Sequence, residues 1–484
     1  MTEFDTVIGL ECHVQLKTNS KLFSPAPNRF GDGPNQNVDV VDAGLPGVLP
    51  VLNEKAVAYA IKLGLALGCR INQKNVFARK HYFYPDLPKG YQISQFELPI
   101  CEGGAVEIQT SKGRKKINLT RIHMEEDAGK NLHVQGADYS EVDYNRAGTP
   151  LLEVVTEPEI TCAEEAVAFF KSLRATVMAL DICDGNLEEG SMRSDANVSV
   201  KPAGQKELGQ RTEIKNLNSM RFLGQAIEFE RKRHIRKVKA GEPIKMQTRL
   251  FDPDKKETRS MREKEEAHDY RYFPDPDLPP LMIDDEALLA ISATLPELPM
   301  AKADRYQSEL GLSEYDANLL IEEKEVAIYF ESCLAHQKNA KGVANWILNN
   351  LLAALNENEL TPEQISKSPI TPNRLAELVR LIDAKVVTSK IAKQLFEAMW
   401  QDPQTTPEQI VEDKGWKVQR DEGALLQIIT DLVATHPKEV QQYLSGKHKV
   451  LGFFMGQVMK QTKGQAEPKE TTELLKKHLE TLRE

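Results

Sequence analysis

The 484-residue sequence lacks the patterns that mark several common protein classes. Its six cysteines are widely spaced and form no CxxC pair, which argues against a zinc ribbon or a disulfide framework and favours a reducing cytoplasm. The most apolar run, residues 56–69, contains Lys62 and is too short to span a bilayer. The N-terminus has no basic leader. We therefore expect a soluble protein that neither enters a membrane nor is secreted.

Familiar catalytic signatures are also missing. Neither GxxxxGK[ST] nor GxGxxG occurs, so any nucleotide site must work without a P-loop or a Rossmann fingerprint. HExxH and GxSxG are absent, and Thr2 stands where an N-terminal-cysteine glutaminase carries its nucleophile. We therefore expect this chain to produce no ammonia of its own.

The net charge of −10 argues against nonspecific coating of nucleic acid, DNA included. Two segments are basic despite the negative net charge. Residues 231–239 (RKRHIRKVK) are strongly basic, and residues 440–466 contain no carboxylate but carry Lys447, Lys449, Lys460 and Lys463. For residues 231–239 a phosphate-binding surface and a solvated helix face explain the charge equally well. For residues 440–466 composition alone favours the solvated helix face, with the phosphate-binding surface as the alternative.

The order of patterns along the chain predicts three domains. Mixed strands and helices continue to about residue 283, close to the proline-rich segment FPDPDLPPL at 273–281. Helices follow, and TPEQ at Thr361 and Thr406 places a cap, a first-turn proline and a capping-box glutamine at two helix starts. We predict an α+β domain over 1–292, a helical domain over 293–405 and a small all-α domain over 406–484.

Apolar and polar residues alternate in TVIGLECHVQL. In a strand, Glu11 and His13 then share one face, with Cα atoms about 6.5–7 Å apart. Such a pair suits a shared divalent cation or a carboxylate that orients an imidazole. An amphipathic strand facing solvent has the same pattern, so the pair alone does not decide between them.

Three other segments carry polar groups of the same kind. In chain order they supply His123, Glu125, Glu126 and Asp127; then Arg193, Asp195, Asn197 and Ser199; then Arg211, Glu213 and Lys215. Together with Glu11 and His13 they predict a polar sheet face that holds a hard cation and a polyphosphate. Oxygen ligands favour Mg²⁺ or Mn²⁺, while the imidazole of His13 leaves Zn²⁺ open.

Residues 78–95 combine Arg79, Lys80 and Lys89 with tyrosines and prolines. We predict a loop whose composition suits phosphate contact and stacking. Surface tyrosines packed on their neighbours are the alternative.

Seven segments, distributed in one order along the chain, carry a resemblance to a known family. They are GLECHVQL (9–16), GLPGVLPVLN (44–53), RKHYFYPDLPKGYQISQ (79–95), HMEEDAGK (123–130), EEGSMRSDANVSV (188–200), EIKNLNS (213–219) and DYRYFPDPDL (269–278). With these segments the sequence resembles the B subunits of bacterial aspartyl/glutamyl-tRNA amidotransferases.

The resemblance implies a fold and a reaction. The fold is an N-terminal cradle with an antiparallel sheet, a helical domain and a YqeY-like tail. In the reaction, a C–N ligase uses ATP and Mg²⁺, with Mn²⁺ as the alternative, to phosphorylate the side-chain carboxylate of misacylated Glu-tRNA(Gln) or Asp-tRNA(Asn). Ammonia from glutamine, supplied by an amidase A subunit, then forms the amide. A small C subunit completes a cytoplasmic heterotrimer.

The resemblance also implies roles for individual residues. It assigns Glu11, His13, Glu126 and Glu213 to the metal, and adds Lys80 and Arg193 to the catalytic set. Asp195, Asn197 and Lys215 are expected to contact the nucleotide, and Lys447, Lys449, Lys460 and Lys463 the tRNA. A non-catalytic adapter that only presents charged tRNA is the alternative.

Overall fold

A computed structural model describes residues 4–133, 136, 138–263, 269–418 and 422–482. The chain divides into two compact units, Met1–Lys302 and Ala303–Glu484. The predicted three-domain division, with boundaries after residues 292 and 405, stays a prediction. Among the described helices, none has both the length and the apolar character needed to cross a membrane.

The first unit is built on strands. These are β1 (Phe4–Gln15), β2 (Arg70–Ile71), β3 (Lys74–Asn75), β4 (Ala78–His81), β5 (Tyr91–Ser94), β6 (Cys101–Glu102), β7 (Ala105–Thr110), β8 (Gly113–Glu126), β9 (Lys130–His133), β10 (Ser140–Asp143), β11 (Pro150–Thr156), β12 (Met192–Pro202), β13 (Thr212–Leu217), β14 (Gln247–Asp252), β15 (Glu257–Glu263), β16 (Phe273–Pro274) and β17 (Leu281–Met282). Its helices are α1 (Glu54–Ala66), α2 (Ala163–Ala179), α3 (Met220–Lys239) and α4 (Asp285–Ser292), and α5 (Pro299–Ser308) contains the boundary between the units.

One ten-stranded sheet dominates this unit, in the order β15-β14-β13-β12-β1-β11-β8-β6-β2, with β7 added beside β8. The predicted α+β class with an N-terminal sheet is confirmed. The sheet departs from purely antiparallel pairing at β13 and β14, which run parallel. The reason is topological, because α3 lies between these strands in the chain and a helical crossover returns the second strand in the same direction.

The alternation in β1 separates the two faces of the sheet. Ile8, Leu10, Cys12 and Val14 are fully buried in the core, together with α2 residues such as Phe169. Burying each large apolar side chain stabilises the fold by roughly 1.5–3 kcal/mol. A shift of one residue would expose this whole set, so the register is fixed and the residues between them face the opposite side.

The predicted loop at 78–95 is wrong in part. β4 and β5 pair as a hairpin, with Ala78 opposite Ser94 and His81 opposite Tyr91. The tyrosines and prolines lie mainly in the connection, while β16 adds a third strand to β4. Pro274 at the edge of this small sheet agrees with the expectation that the proline-rich segment forms no central strand.

The second unit is helical. Besides the end of α5 it contains α6 (Glu314–Ile321), α7 (Lys324–Leu334), α8 (Ala340–Trp346), α9 (Leu352–Glu357), α10 (Pro372–Asp383), α11 (Ser389–Gln401), α12 (Pro407–Asp413), α13 (Glu422–Thr435), α14 (Pro437–Leu444), α15 (Leu451–Gln461) and α16 (Pro468–Thr481). A π-helical turn spans Ile347–Leu351, and 3₁₀ helices span Pro362–Lys367 and His448–Val450.

Both TPEQ segments start helices, as predicted. Thr361 and Gln364 form a reciprocal capping box, although the helix that follows is 3₁₀. The Thr406 side chain accepts a hydrogen bond from the Gln409 amide at the start of α12. The segment between α11 and α12 is held in place, because the Arg374 guanidinium donates to the carbonyls of Met399, Asp402 and Thr405.

Candidate active site

The polar face of the large sheet forms one wall of a cleft of about 470 Å³. Side chains from several strands converge there, because residues opposite each other on neighbouring strands project from the same face. The lining residues include Glu11, His13, Lys80, Tyr82, Gln92, Glu125, Asp127, Arg146, Glu153, Arg193, Asp195 and Lys215. A smaller cavity of about 50 Å³, lined by Glu11, Asn197 and Glu213 among others, adjoins it at Glu11.

A group of three carboxylates lies on β1, β12 and β13. Glu11 is directly opposite Asp195, and Asn197 is opposite Glu213. One oxygen from each of Glu11, Asp195 and Glu213 lies within 4.8 Å of the other two. We call these three residues the carboxylate group. The arrangement suits a hard divalent cation, which prefers carboxylate oxygens.

Hydrogen bonds fix the carboxylate group. Asn197 Nδ2 donates to Glu11 Oε1 at 2.9 Å, and Thr248 Oγ1 donates to Glu213 Oε2 at 2.7 Å. Lys215 Nζ lies 3.2 Å from Glu213 Oε1 and 3.5 Å from Asp195 Oδ2. Each of the three side chains thus has a polar partner outside the group, an arrangement that is also common around metal ligands.

The negative charges of the carboxylate group repel one another, and burial disfavours them further. Burial raises the pKa of Glu11, and the neighbouring charges of Glu153, Asp195 and Glu213 raise it further. Burial alone would lower the pKa of the Lys215 ammonium, but Asp195 and Glu213 raise it above its usual value. Unfavourable charge packing of this kind is typical of functional sites, where a cation or ligand relieves it.

A second group combines an imidazole with carboxylates from β1, β8 and β11. Ligand atoms of His13, Glu125 and Glu153 lie within 4.8 Å of one another, and we call these three residues the imidazole group. His13 Nε2 lies 3.6 Å from Glu153 Oε2. His13 Nδ1 is buried and finds no hydrogen-bond partner among the described residues. An imidazole nitrogen and two carboxylate oxygens this close together fit a metal ligand set, and the imidazole extends the choice beyond Mg²⁺ to Mn²⁺ or Zn²⁺.

His123 supports the imidazole group from β8. Its Nε2 faces Glu125 Oε2 at 3.6 Å and Glu153 Oε2 at 3.5 Å, while Arg121 Nε donates to its Nδ1. Ser94 Oγ donates to Glu125 Oε2 at 3.1 Å. Burial opposes the charge on Glu125, but the His123 hydrogen bond and the Lys80 charge lower its pKa well below the usual value. Glu125 is therefore an ionised carboxylate within the cleft.

Cations also line the cleft. Arg193 donates two hydrogen bonds to Asp127, at 3.1 and 3.2 Å, and Gln15 Nε2 donates a third at 2.8 Å. Burial opposes ionisation of Asp127, yet Arg193 and Arg146 lower its pKa to about 2. A guanidinium held this firmly presents a fixed positive charge to the cleft, as phosphate recognition requires.

Lys80 is the cation best suited to a ligand. It lines the cleft, and its Nζ lies 5.0 Å from the ring centre of Tyr270. Burial opposes its charge, but Glu125 raises the pKa of its ammonium. Within the described parts of the chain, no carboxylate lies within 4 Å of Lys80 Nζ. A half-buried ammonium without a direct ion pair can take a phosphate or carboxylate oxygen as its partner.

Most of the sequence-predicted site residues meet in this region, but the observed arrangement differs from the predicted one in two respects. Glu126 does not join the other metal candidates. Its carboxylate is bound by Lys89 Nζ at 2.5 and 2.6 Å and by the Ile93 amide at 2.9 Å. Glu11 and His13 belong to different groups of possible ligands. Glu125, and not Glu126, therefore belongs to the imidazole group.

The sequence interpretation also missed Glu153, which lies opposite both His13 and His123. Its signal was available, because Glu153 is the one charged residue in the apolar strand PLLEVVT. A lone carboxylate in such a strand indicates a polar position on an otherwise apolar element. Arg146 and Tyr82 were missed because no local spacing connects them to the cleft.

The four predicted tRNA-binding lysines belong to the second unit. All four side chains are exposed. Lys447 and Lys449 lie between α14 and α15, Lys460 lies on α15, and Lys463 follows α15. Phe454 and Val458, on the inner side of α15, are fully buried in the core of this part of the unit. The basic side chains thus face away from that core, and their role in tRNA binding stays a prediction.

Comparison with known proteins identifies two family matches. The GatB/GatE catalytic domain matches residues 6–289, and the GatB domain matches residues 328–479. The chain is 53% identical to the B subunit of the aspartyl/glutamyl-tRNA(Asn/Gln) amidotransferase of Geobacter sulfurreducens over 98% of this chain and 99% of that one. It is 54% identical to the protein of the same name from Geotalea uraniireducens and 52% to that from Neisseria meningitidis, each over at least 98% of both chains.

Proposed function

Since the chain belongs to the family of aspartyl/glutamyl-tRNA(Asn/Gln) amidotransferase B subunits, we propose that its cleft activates an aminoacyl-tRNA side chain for amidation. ATP phosphorylates the side-chain carboxylate of Glu-tRNA(Gln) or Asp-tRNA(Asn). Ammonia then replaces the phosphate, which leaves Gln-tRNA(Gln) or Asn-tRNA(Asn). The chemistry requires this order, because a free carboxylate is a poor electrophile towards ammonia.

One observation carries the proposal. The imidazole group, Glu11 and Asp195 line one cleft with Lys80, Arg193 and Lys215, and Glu213 completes the carboxylate group from the adjoining cavity. Phosphoryl transfer depends mainly on positioning and on neutralising the phosphate charge, for which divalent cations and fixed ammonium or guanidinium groups are suited. An apolar binding pocket would need none of these charges.

The residues fit divalent cations, with Mg²⁺ or Mn²⁺ as the proposed ions. Glu11, Asp195 and Glu213 would hold one, and His13, Glu125 and Glu153 would hold another. When bound, such ions neutralise phosphate oxygens and relieve the repulsion that raises the pKa of Glu11. His123 and Asn197 orient the ligand carboxylates through their polar contacts.

The cations of the cleft act on the substrates directly. We assign Lys80 to the reacting carboxylate or to the phosphoryl group that it receives, because its ammonium has no direct ion pair with a described residue. In the first step a carboxylate oxygen attacks the γ-phosphorus, the bond to ADP breaks, and an acyl phosphate forms. In the second step ammonia attacks the carbonyl carbon, phosphate leaves, and the amide nitrogen loses a proton.

The family resemblance supports a proposal for the ammonia source and the partners. We propose that glutamine is hydrolysed by an amidase A subunit and that a small C subunit completes the complex. The names of the relatives identify them as B subunits of an aspartyl/glutamyl-tRNA(Asn/Gln) amidotransferase. The exposed lysines of the second unit are the proposed contact for the tRNA, since a basic stretch that contains no carboxylate suits a phosphate backbone.

The test uses the complex co-expressed with its A and C subunits. ATP hydrolysis is measured with and without Glu-tRNA(Gln) or Asp-tRNA(Asn), for the wild type, for Glu11→Gln and for Glu141→Gln, an exposed control on β10. The proposal predicts hydrolysis that depends on misacylated tRNA, disappears in Glu11→Gln and persists in Glu141→Gln. Wild-type turnover in Glu11→Gln would instead favour the adapter, which has no reaction of its own in the cleft.

A further inference from the structure

A second cluster of buried charges lies on the opposite side of the sheet from the cleft, around Glu230 of α3. Glu230 and His234 are completely buried, and Arg233 is nearly so. Arg233 contacts Glu230 Oε2 through Nε at 2.8 Å and Nη2 at 2.7 Å, and Arg249 Nε lies 2.9 Å from Oε1. The Thr258 hydroxyl donates to the same Oε1. None of these side chains lines the cleft.

The cluster connects α3 to three successive strands. His234 Nε2 and Thr212 Oγ1 on β13 are 2.9 Å apart, and Arg233 Nη2 donates to the same hydroxyl at 3.1 Å. Arg249 belongs to β14 and Thr258 to β15. Glu230 therefore holds the strands that form this edge of the sheet. Burial opposes its ionisation, but hydrogen bonds from His234, Arg233 and Thr258 lower its pKa to about 2, so it is a carboxylate.

Two strand residues of the cluster are immediate neighbours of residues in the site. Thr212 precedes Glu213, and Arg249 follows Thr248, whose hydroxyl donates to Glu213. Neighbouring residues in a strand project to opposite faces, so contacts on the α3 side determine where the cleft side points. Glu213 lies opposite Thr248 in the parallel pairing of β13 with β14. A slip of one residue there would turn Glu213 and Lys215 away from the cleft.

From this geometry we propose that Glu230 is a positioning residue for the carboxylate group. It fixes the register of β13 against β14 and thereby the place of Glu213 and Lys215 beside Glu11 and Asp195. The inference rests on the proposed function only in that the carboxylate group binds a divalent cation. Residues that orient metal ligands typically change metal affinity about 10–100-fold when they are replaced.

The experiment measures binding of Mn²⁺ to the assembled complex by electron paramagnetic resonance, independently of turnover. Glu230→Gln is compared with Glu228→Gln, a control on the same helix whose carboxylate is partly exposed and paired with Arg231. We expect Glu230→Gln to weaken Mn²⁺ binding about tenfold or more and Glu228→Gln to leave it unchanged. Equal affinity in both variants overturns the inference.

A milder pair of variants covers the case in which Glu230→Gln does not fold. Thr212→Val removes the hydroxyl that contacts His234 and Arg233 while keeping the side-chain shape, and Thr212→Ser keeps the hydroxyl. The inference predicts weaker Mn²⁺ binding in Thr212→Val and recovery in Thr212→Ser, whereas equal loss in both contradicts it. Glu213→Gln serves as a further control. If its Mn²⁺ binding equals that of the wild type, the metal site itself is refuted, and this result is distinct from failure of the positioning role.

Discussion

Glu125 and Glu126 are adjacent in β8, yet their carboxylates have different partners. Glu125 lines the cleft beside His123 and Ser94, whereas Glu126 is enclosed by Lys89 and the Ile93 amide. Both are almost fully buried. Identical residue types at neighbouring positions therefore have separate tasks, one in the candidate active site and one in holding the β4–β5 connection to β8.

The first prediction separates these tasks. Glu125→Gln should reduce ATP-dependent amide formation at least 100-fold, by analogy with loss of one electrostatic contact in an active site. Glu126→Gln should lower stability by about 3 kcal/mol, because it leaves the buried Lys89 ammonium without its charged partner. Steady-state rates and thermal unfolding measure the two effects. If the two variants are equally stable and Glu126→Gln is the less active one, the assignment is wrong.

The second prediction concerns Lys80. Replacement by Met keeps most of the side-chain volume but removes the ammonium, so amide formation should fall about 100-fold or more. Glutamine hydrolysis in the partner subunit should continue. Lys116→Met is the matched control, since Lys116 is an exposed lysine on β8. Comparable activity of Lys80→Met and Lys116→Met would remove Lys80 from the site.

The third prediction uses the raised pKa of Glu11. Its usual value is 4.5, and the folded chain holds this proton to higher pH than the unfolded chain does. Above pH 4.5 the unfolded state therefore releases the proton first, so the charge of Glu11 costs stability as the pH rises. In EDTA, Glu11→Gln should raise Tm at pH 7.5 and lose this advantage near pH 4. Differential scanning calorimetry at both values tests it, and a lower Tm at pH 7.5 would contradict the sign.

Added metal should favour the wild type over Glu11→Gln in the same calorimetric measurement of Tm. Mn²⁺ should stabilise the wild type, because a ligand that binds the folded state shifts the unfolding equilibrium. It should stabilise Glu11→Gln much less. An equal increase in Tm for both proteins would place the cation somewhere other than the carboxylate group.

The fourth prediction concerns the lysines of the second unit. Changing Lys447, Lys449, Lys460 and Lys463 together to Glu should raise KM for tRNA and reduce its dependence on salt, because fewer counterions are released on binding. The control changes four other exposed lysines of the same unit, Lys438, Lys469, Lys476 and Lys477, so that the net charge is matched. An identical salt slope in the two variants would refute the assignment of the first set.

The alternation of polar and apolar residues along single strands predicted much of the candidate site. Glu11 and His13 lie on the polar side of β1, and Asp195 and Lys215 line the same cleft, as their spacing predicted. The prediction worked because β1 and β12 each bury one complete face, so their registers are determined by their own apolar residues.

Alternation was insufficient where a strand is buried on both faces. Met124, Glu125 and Glu126 are all buried, so the exposure pattern does not distinguish the cleft side. The role of Glu126 depends on Lys89, which is 37 residues away and belongs to a segment predicted as a loop. The parallel pairing of β13 with β14 is equally non-local, since it is produced by the crossover through α3. Contacts of this kind leave no short-range signal in a sequence.

The most direct test of the proposed reaction follows an oxygen atom. Glu-tRNA(Gln) or Asp-tRNA(Asn) carrying ¹⁸O at both oxygens of the side-chain carboxylate is converted by the complex, and the released phosphate is analysed by mass spectrometry. Activation through an acyl phosphate transfers one carboxylate oxygen to phosphate, so we expect one ¹⁸O in each phosphate formed, and loss of both label transfer and phosphate release in Glu125→Gln. Unlabelled phosphate, formed in step with the amide, would contradict the proposed reaction.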